Sequence, residues 1–427
     1  MKNLKFNQGF AMLFSLIILL LIILSLNLYF QIAYSGLRIA RISADTKRAY
    51  YLADAGLADA FMQLRSYPNP PASFAVSNNN YAIGSENGVY SVQVLSNNAN
   101  WPTFTITSTG TFNNLSKTLK LTVQQTSASM LAYLSNSEIS PLYGPLWWIT
   151  NMYTVGPVST NGQFNIWGDP IFDGPVSQVA PTINYWPGVA TDPSDFRGGL
   201  TLNAPSQAVF DNTMLNNISS AASSPGGLLL SGDTGITFNA DGSMNVTNSA
   251  KGWSNKNMGL PSNKAIYVQN GSATVSGTVN GQVTVGSDNT IYISNNIIYN
   301  SNPDPLNPNL ASTDILALVA KNNITVKAAS APTDLEIAAV LVAINGSFQV
   351  DNWWAPGKGN MLQYGSLVNN VCGPTGVFDP STGTLFGGYN QLQYYDARLK
   401  TLVPPYFPPA KDSNGRIAYT KISFKEL

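Results

Sequence analysis

The sequence predicts an α+β module at the N-terminus, made of one long α-helix and an antiparallel β-sheet, followed by a large all-β domain of the β-solenoid type. Three observations predict this fold. Phe10–Leu37 contains no charged side chain. Val89–Gln124 holds three short runs in which apolar and polar residues alternate, as on half-buried strands. From Gly156 onward, a segment that begins with Asn-Gly or Asn-Asn recurs along the chain.

The N-terminal helix is predicted over residues 10–65. No proline interrupts these residues, and the apolar part alone exceeds the roughly 20 residues that span a bilayer. Such a helix starts in the membrane and leaves it as a stalk, until Pro68, Pro70 and Pro71 end it. The residues assigned to the membrane helix are Phe10, Leu13, Leu16, Leu20, Leu24 and Leu28.

Three interpretations of the N-terminus compete. A secretory signal has an apolar core of about 7–15 residues and then a small-residue cleavage site, whereas this run is longer and lacks such a site. An uncleaved signal anchor agrees with the hydrophobicity and with Lys2 and Lys5 on its inner flank. The third interpretation takes residues 1–9 as a short basic class III leader that is cut between Gly9 and Phe10.

The motif QGFAML at Gln8–Leu13, with ADAGLA at Ala53–Ala58 some forty residues later, resembles type IV minor pilins with a PilX-like N-terminus. The resemblance covers about the first 65 residues. It implies that prepilin peptidase cuts after Gly9 and methylates Phe10. It also implies that the helix packs with other pilins and minor pilins.

The fifth residue after the predicted cut departs from the major pilins. They carry a Glu there, whose carboxylate meets the terminal amine of a neighbouring subunit, and this chain has Phe14. An unpartnered carboxylate is costly in lipid, so Phe14 eases residence in the membrane. Within the pilin family this replacement goes with tip and initiating subunits, and the resemblance therefore implies a minor pilin rather than a bulk fibre subunit.

Composition narrows the class of protein. A chain of 427 residues predicts two or more domains, and its charged fraction of 10% is well below the usual quarter. Histidine is absent, which removes the commonest general base and the commonest transition-metal ligand. We therefore predict a protein that is not an enzyme, with no cofactor, no metal site and no small-molecule substrate. Cys372 is the single cysteine, so no internal disulfide forms.

A pilin-type β-sheet head is predicted over residues 66–126. Its strands are the alternating runs Val89–Leu95, Thr103–Gly110 and Leu115–Gln124, separated by Asn-Asn turns. Residues 127–155 are rich in Tyr and Trp and are predicted to form an irregular linker or collar.

The β-solenoid is predicted over residues 156–372. Its repeats begin at Asn161, Asn270, Asn295, Asn322 and Asn345, and the last four are 25, 27 and 23 residues apart. Each rung of a solenoid leaves its core face open until the next rung stacks on it, and Asn at a repeated corner predicts a ladder of side-chain hydrogen bonds. The alternative is a β-sandwich with similar turns, but Ile315–Ala320 and Leu335–Val342 are apolar on both faces.

Two further segments complete the prediction. Residues 180–260 break the repeat and are predicted as an insertion, with a short helix at 211–222 and a hairpin at Asp241-Gly242. Residues 373–427 are predicted to cap the last rung. There Asp396 and Arg398 are placed to pair, and Ile417–Phe424 is a candidate return strand to the pilin sheet.

Candidate recognition residues are aromatic and basic side chains of the large domain. They are Trp147, Trp148, Trp353, Trp354, Lys321 and Lys327. Paired tryptophans stack on sugars or bases, but adjacent tryptophans also bury one ring in a core, and the lysines fit a solvated surface. Residues 128–300 carry four basic and nine acidic side chains, a net of −5, which argues against a general groove for the DNA backbone.

The predicted function is that of a minor pilin-like structural subunit of a type IV pilus, or of a related secretion or DNA-uptake filament, acting in tip assembly and surface recognition. Its predicted partners are the membrane, other pilins, prepilin peptidase and a surface ligand or DNA. It would reside in the inner membrane before assembly and then at the pilus and cell surface. Two alternatives stay open: a DNA-uptake receptor or adhesin at the pilus tip, and an anchored surface protein unrelated to pili.

Overall fold

The computed structural model describes residues 8–67, 70–83, 86–97, 103–188, 195–207, 212–302, 304, 306–411 and 415–427. These residues divide into two compact units. The smaller unit contains the N-terminal helix, the strands up to Gln124, and Lys421–Leu427, and the larger unit contains Gln125–Thr420. The protein therefore has one long N-terminal helix and a large part that is mostly β.

The helix α1 spans Gln8–Ser66 without a break and covers the predicted segment 10–65. Among the described residues it is the one helix that is long and apolar enough to cross a membrane. Side chains from Ala11 to Ala44 are exposed, including Phe14 at 57%. The predicted cleavage junction, Gly9–Phe10, lies inside α1, and leader residues 1–7 lie outside the described residues.

The C-terminal half of α1 packs on an antiparallel sheet. The strands are β1 (Ser73–Ile83), β2 (Glu86–Ser96), β3 (Thr103–Phe112), β4 (Leu115–Gln125) and the last strand of the chain, β32 (Tyr419–Glu426), which lies next to β4. The predictions for β2, β3 and β4 are confirmed. Strand β1 was missed because Asn78–Asn80 reads as a turn, and the β1–β2 register shifts at that point.

Small residues set the distance between α1 and the sheet. A Cβ on Gly56 would lie 2.5 Å from the Ser108 hydroxyl oxygen, and a Cβ on Gly110 would lie 2.3 Å from the backbone oxygen of Ala49. Leu52 fills the space beside them and is fully buried. The apolar sheet face and the small helix residues therefore form one core layer.

The larger unit contains twenty-seven further strands and a second helix within its described residues. In chain order they are β5 (Tyr133–Ser137), β6 (Ile139–Ser140), β7 (Gly144–Pro145), β8 (Trp147–Ile149), β9 (Tyr153–Val155), β10 (Val158–Thr160), β11 (Asn165–Trp167), β12 (Ile171–Asp173), β13 (Val176–Gln178), β14 (Asn184–Tyr185), β15 (Leu200–Thr201), α2 (Thr213–Ser223), β16 (Leu228–Ser231), β17 (Thr234–Phe238), β18 (Ser243–Asn248), β19 (Trp253–Gly259), β20 (Ala265–Gln269), β21 (Ala273–Val279), β22 (Gln282–Ser287), β23 (Ile291–Tyr299), β24 (Ile315–Ala320), β25 (Ile324–Val326), β26 (Leu335–Ala343), β27 (Phe348–Val350), β28 (Asn360–Val371), β29 (Gly376–Phe378), β30 (Leu385–Gly388) and β31 (Asn390–Tyr395).

Most of these strands stack in parallel ladders. The longest runs β16-β20-β22-β24-β26-β28-β5-β10-β13-β15. A second runs β17-β21-β23-β25-β27, a third β28-β31-β9-β12, and a short one β8-β11-β14. The antiparallel β17–β18 pair turns at the predicted Asp241-Gly242 hairpin, which is confirmed.

The stacking order differs from the chain order where late strands pair with early ones, at β28–β5 and at β31–β9. Strand β28 pairs with β5, so that Leu367 lies opposite Tyr133. The segment predicted as an irregular linker, 127–155, thus supplies β5 and β9 to the ladders, and the predicted insertion 180–260 supplies β16 and β17. These strands have three to five residues each, which is too few to show a clear alternation of apolar residues.

The ladder register also corrects the repeat assignment. The residues in register are Ala273, Ile291, Ile324 and Phe348, which places Asn295 outside the set of equivalent positions. The predicted Asn ladder forms at the corner that includes Asn161, and Asn370 continues it by donating to the backbone carbonyl of Asn345 over 3.2 Å. Asn161 donates to Asn136 over 3.2 Å, and Asn136 donates to Asn370 over 3.2 Å.

Two apolar layers hold the longest ladder in place. Every residue of Ile315–Ala320 is buried, as the two-sided apolar pattern predicts. One face belongs to the interior, and the other is covered by α2 and by the C-terminal segment that includes Leu399 and Phe407. The C-terminal segment was predicted to cap the last rung. Instead it runs along the outer face, where Thr284 donates to the carbonyl of Pro405.

Candidate functional site: an aromatic pocket

A cavity of about 200 Å³ lies in the larger unit where β8, β27 and the end of β28 meet the β29–β30 hairpin. Its walls are mainly apolar, and eight of the lining residues are aromatic. The aromatic residues that line it are Tyr133, Tyr143, Trp147, Trp148, Phe348, Trp353, Phe378 and Tyr389. The structure therefore brings three of the four candidate tryptophans around one cavity.

The four tryptophans occupy different environments. Trp148 is buried and packs edge-on against Tyr133, with ring centroids 5.1 Å apart. Trp147 is half-buried beside Trp186. Trp353 lines the cavity, whereas Trp354 is 56% exposed and is not part of its lining. They do not form one flat stacking platform.

The polar groups of the cavity carry no formal charge, since its lining contains no Lys, Arg, Asp or Glu. The indole nitrogen of Trp353 is buried without a hydrogen-bond partner. Asn369 uses its amide oxygen to accept from the backbone N–H of Phe348 over 2.8 Å. Its amide NH₂, the hydroxyl of Thr375 and the amide of Gln391 have no partner among the described residues. Three polar groups thus remain available to a neutral ligand, because the buried Trp353 nitrogen is not accessible from the cavity.

The two candidate lysines lie elsewhere. Lys321 is exposed just after β24. Lys327 follows β25 and places its ammonium 4.5 Å from the centre of the Tyr292 ring. Neither residue lines the cavity, so the aromatic and basic candidates do not combine into one site.

Behind the aromatic wall lies a buried carboxyl group that the sequence did not suggest as important. Glu138 is fully buried, with its Oε1 accepting from Tyr133 over 2.9 Å and from Ser135, and its Oε2 accepting from Trp148 over 3.3 Å. No basic residue forms an ion pair with it among the described residues. Desolvation raises the pKa of Glu138, against the opposing effect of these donors. Burial likewise raises the pKa of the neighbouring Cys372 thiol, which keeps this thiol protonated.

We expect the Glu138→Gln variant to lose stability less steeply than the wild type as the pH rises. The folded state holds the Glu138 proton above the pH at which the unfolded chain releases it. Hence stability is greatest below the ordinary pKa, near 4.5, and falls until the pH passes the raised value. Each pH unit across that interval costs about 1.4 kcal/mol. Urea denaturation between pH 4 and pH 8 measures the slope.

Glu336 provides the matched comparison for this slope. Desolvation, with a contribution from Asp304, raises the pKa of Glu336 to about 7, so its effect has the same sign and ends near neutral pH. Glu336→Gln should remove only the fall in stability that Glu336 causes up to about pH 7. Equal slopes in the wild type and Glu138→Gln would contradict the assignment to Glu138.

Three chains among the solved structures match this one, and a pilin is among them. The competence-associated pilin ComZ from Thermus thermophilus aligns with a TM-score of 0.37 and 11% sequence identity, over 90% of this chain and 98% of that one. At that TM-score the likeness assigns neither fold nor function. No protein-family model and no curated protein matches the chain.

Proposed function

We propose that this protein is a membrane-anchored, pilin-like subunit that displays a β-solenoid outside the cell. The observation that carries the proposal is α1, which joins an exposed apolar segment to a packed helix–sheet unit without interruption. An exposed apolar helix of this length is stable only in a bilayer or against other apolar helices. The membrane and other pilins are therefore its proposed partners.

The proposal includes processing between Gly9 and Phe10. Prepilin peptidase would remove the basic leader and methylate Phe10, and Phe14 would mark the chain as a minor, tip-proximal subunit. The subunit would first reside in the inner membrane and then move to the pilus and cell surface. The QGFAML motif at Gln8–Leu13 supports this step.

N-terminal mass spectrometry tests the processing. We expect the mature chain to begin with a methylated Phe10 in cells that contain prepilin peptidase, and to retain Met1 in cells that lack it. A Gly9→Leu substitution should block cleavage, because it removes the small residue before the cut, and a Gly36→Ala substitution in the same helix should not. An intact Met1 in every strain would favour an anchored surface protein unrelated to pili.

The solenoid part of the proposal rests on the in-register parallel ladders of the larger unit. Parallel strands that stack rung on rung give a rigid, elongated domain that is suited to presenting a recognition surface. Surface recognition is favoured over binding of the DNA backbone, because residues 128–300 have a net charge of −5 and the aromatic pocket carries no charge. Salt-dependent retention of double-stranded DNA by the purified protein would instead favour the DNA-uptake receptor.

A further inference from the structure

We propose that the aromatic pocket binds a neutral carbohydrate, with one pyranose ring seated in the cavity. This inference rests on the proposed role in surface recognition, and it identifies the chemical class of the ligand. It is carried by three properties of the pocket: its size, its uncharged lining and its partnerless polar groups.

The size of the cavity selects a ligand of one ring. Pockets for drug-sized molecules measure about 300–1,000 Å³. This cavity, at about 200 Å³, accepts a single ring and leaves the rest of a longer ligand outside. The exposed Tyr143 lines it, 5.5 Å from Trp353 between ring centroids, and offers contact to a neighbouring ring.

The lining selects against anionic ligands. A phosphate or a carboxylate would be desolvated in this cavity without an opposite charge, which is costly. The faces of the aromatic rings carry negative potential and attract the C–H groups along the face of a pyranose. A nucleotide shares the flat ring but brings a phosphate that no lining residue neutralises.

The partnerless polar groups select a polyol. Asn369 presents a donor, whereas Thr375 and Gln391 present both donors and acceptors. A sugar ring carries several hydroxyl groups that donate and accept at once. A proline-rich peptide, the other neutral ligand of aromatic sites, offers backbone carbonyls that use the donors only. Three groups that together donate and accept therefore favour the sugar.

The test uses the full chain in lipid nanodiscs, because glycoside detergents would compete for the pocket. The probes are glucose, galactose, N-acetylglucosamine, a polyproline peptide and deoxynucleotides. Saturation-transfer NMR and tryptophan fluorescence report binding. We expect saturable binding of at least one sugar, with transfer to its ring protons, and no saturable binding of the peptide or the nucleotides.

Adjacent tryptophans provide the matched variants. Trp353→Leu removes an aromatic ring that lines the cavity and should weaken sugar binding about fivefold. Trp354→Leu makes the same change outside the cavity and should leave binding unchanged. Thr375→Val removes a hydroxyl at nearly constant volume and should weaken binding to a similar degree, which keeps the test decisive if Trp353→Leu does not fold.

Three outcomes would overturn the inference: no sugar binds, the two tryptophan variants weaken binding equally, or the peptide or a nucleotide binds in place of the sugars. The N-terminal mass of the same preparation separates this result from the proposed function. If no sugar binds but the N-terminal mass shows a methylated Phe10, only the proposed ligand class is overturned. Sugar binding with an intact Met1 overturns the pilin assignment alone.

Discussion

Replacement of Arg398 by Met should destabilise the larger unit by about 3–5 kcal/mol, because it leaves the carboxylate of Asp396 buried without its cation. The side chains of Arg398 and Asp396 are 2% and 1% exposed, and the Arg398 Nη2 lies 2.6 Å from the Asp396 Oδ2. Chemical denaturation of the full chain, followed by tryptophan fluorescence, measures the loss.

The Asp396–Arg398 pair connects the C-terminal segment to the chain just before the ladder strand β24. Nη1 of Arg398 donates to the carbonyls of Ser312 and Asp314, both over 3.0 Å, and its guanidinium lies 5.0 Å from the centre of the Tyr299 ring. The Tyr364 hydroxyl donates to Asp396 over 3.0 Å. Burial and the charge of Asp396 raise the pKa of Tyr364 to about 12, so this donor keeps its proton at neutral pH.

A double-mutant cycle separates the pair from its surroundings. Asp396→Asn alone should also be strongly destabilising, and the double variant should lose less than the sum of the two single losses. The exposed pair between Lys117 and Glu426 has the same N–O distance of 2.6 Å, yet Lys117→Met should cost about 0–1 kcal/mol. If the two single losses add up in the double variant, then the stability that Asp396 and Arg398 contribute does not depend on the contact between them.

The pairing of Asp396 with Arg398 was predictable from the sequence, but its geometry was not. An extended segment would place the two side chains on one face. The structure instead has a turn of 3₁₀-helix at Ala397–Lys400, in which Asp396 accepts from the backbone N–H of Arg398. The short separation of Asp396 and Arg398 in the sequence identified them as a pair. The surrounding carbonyls, which come from loops more than eighty residues away, decided the conformation.

The same contrast applies to the ladders. Two-sided apolar strands such as β24 were evident because burial on both faces requires continuous hydrophobicity. The register of the strands was not evident, because Asn-Asn occurs at a corner between strands and also within β23, at Asn295. The junction between β28 and β5 joins positions more than two hundred residues apart, and periodicity carries no information about such a pairing.

One repeat in the sequence could have revealed the short strands. Gly-Pro-Val-Ser occurs at Gly156–Ser159 and again at Gly174–Ser177. The structure pairs the two copies in register, with Val158 opposite Val176 and a 3.0 Å hydrogen bond between the two serine hydroxyl oxygens. The pocket, by contrast, assembles side chains from separate rungs. Its tryptophans were recognisable candidates, but Asn369, Thr375 and Gln391 carried no signal of their own.

Gly174→Ala, in the second copy of the Gly-Pro-Val-Ser repeat, should destabilise the larger unit by about 3 kcal/mol, at the upper end for overpacking. A Cβ at this position would lie 2.2 Å from the backbone oxygen of Gly156 in the adjacent rung. Gly198 repeats the arrangement one rung further, since its Cβ would lie 2.1 Å from the carbonyl carbon of Gly174. Backbone atoms cannot rotate away as a side chain can, so the rungs would have to separate.

The control for this substitution is Gly259→Ala, where an added Cβ meets nothing within 4 Å and stability should stay within about 0.5 kcal/mol of the wild type. Denaturant midpoints of the two variants measure the difference. If Gly174→Ala had the same denaturant midpoint as the wild type, the close stacking of Gly156, Gly174 and Gly198 would be wrong. The register of β10 on β13 would then have to differ as well, because these glycines lie in the corners that lead into the ladder strands.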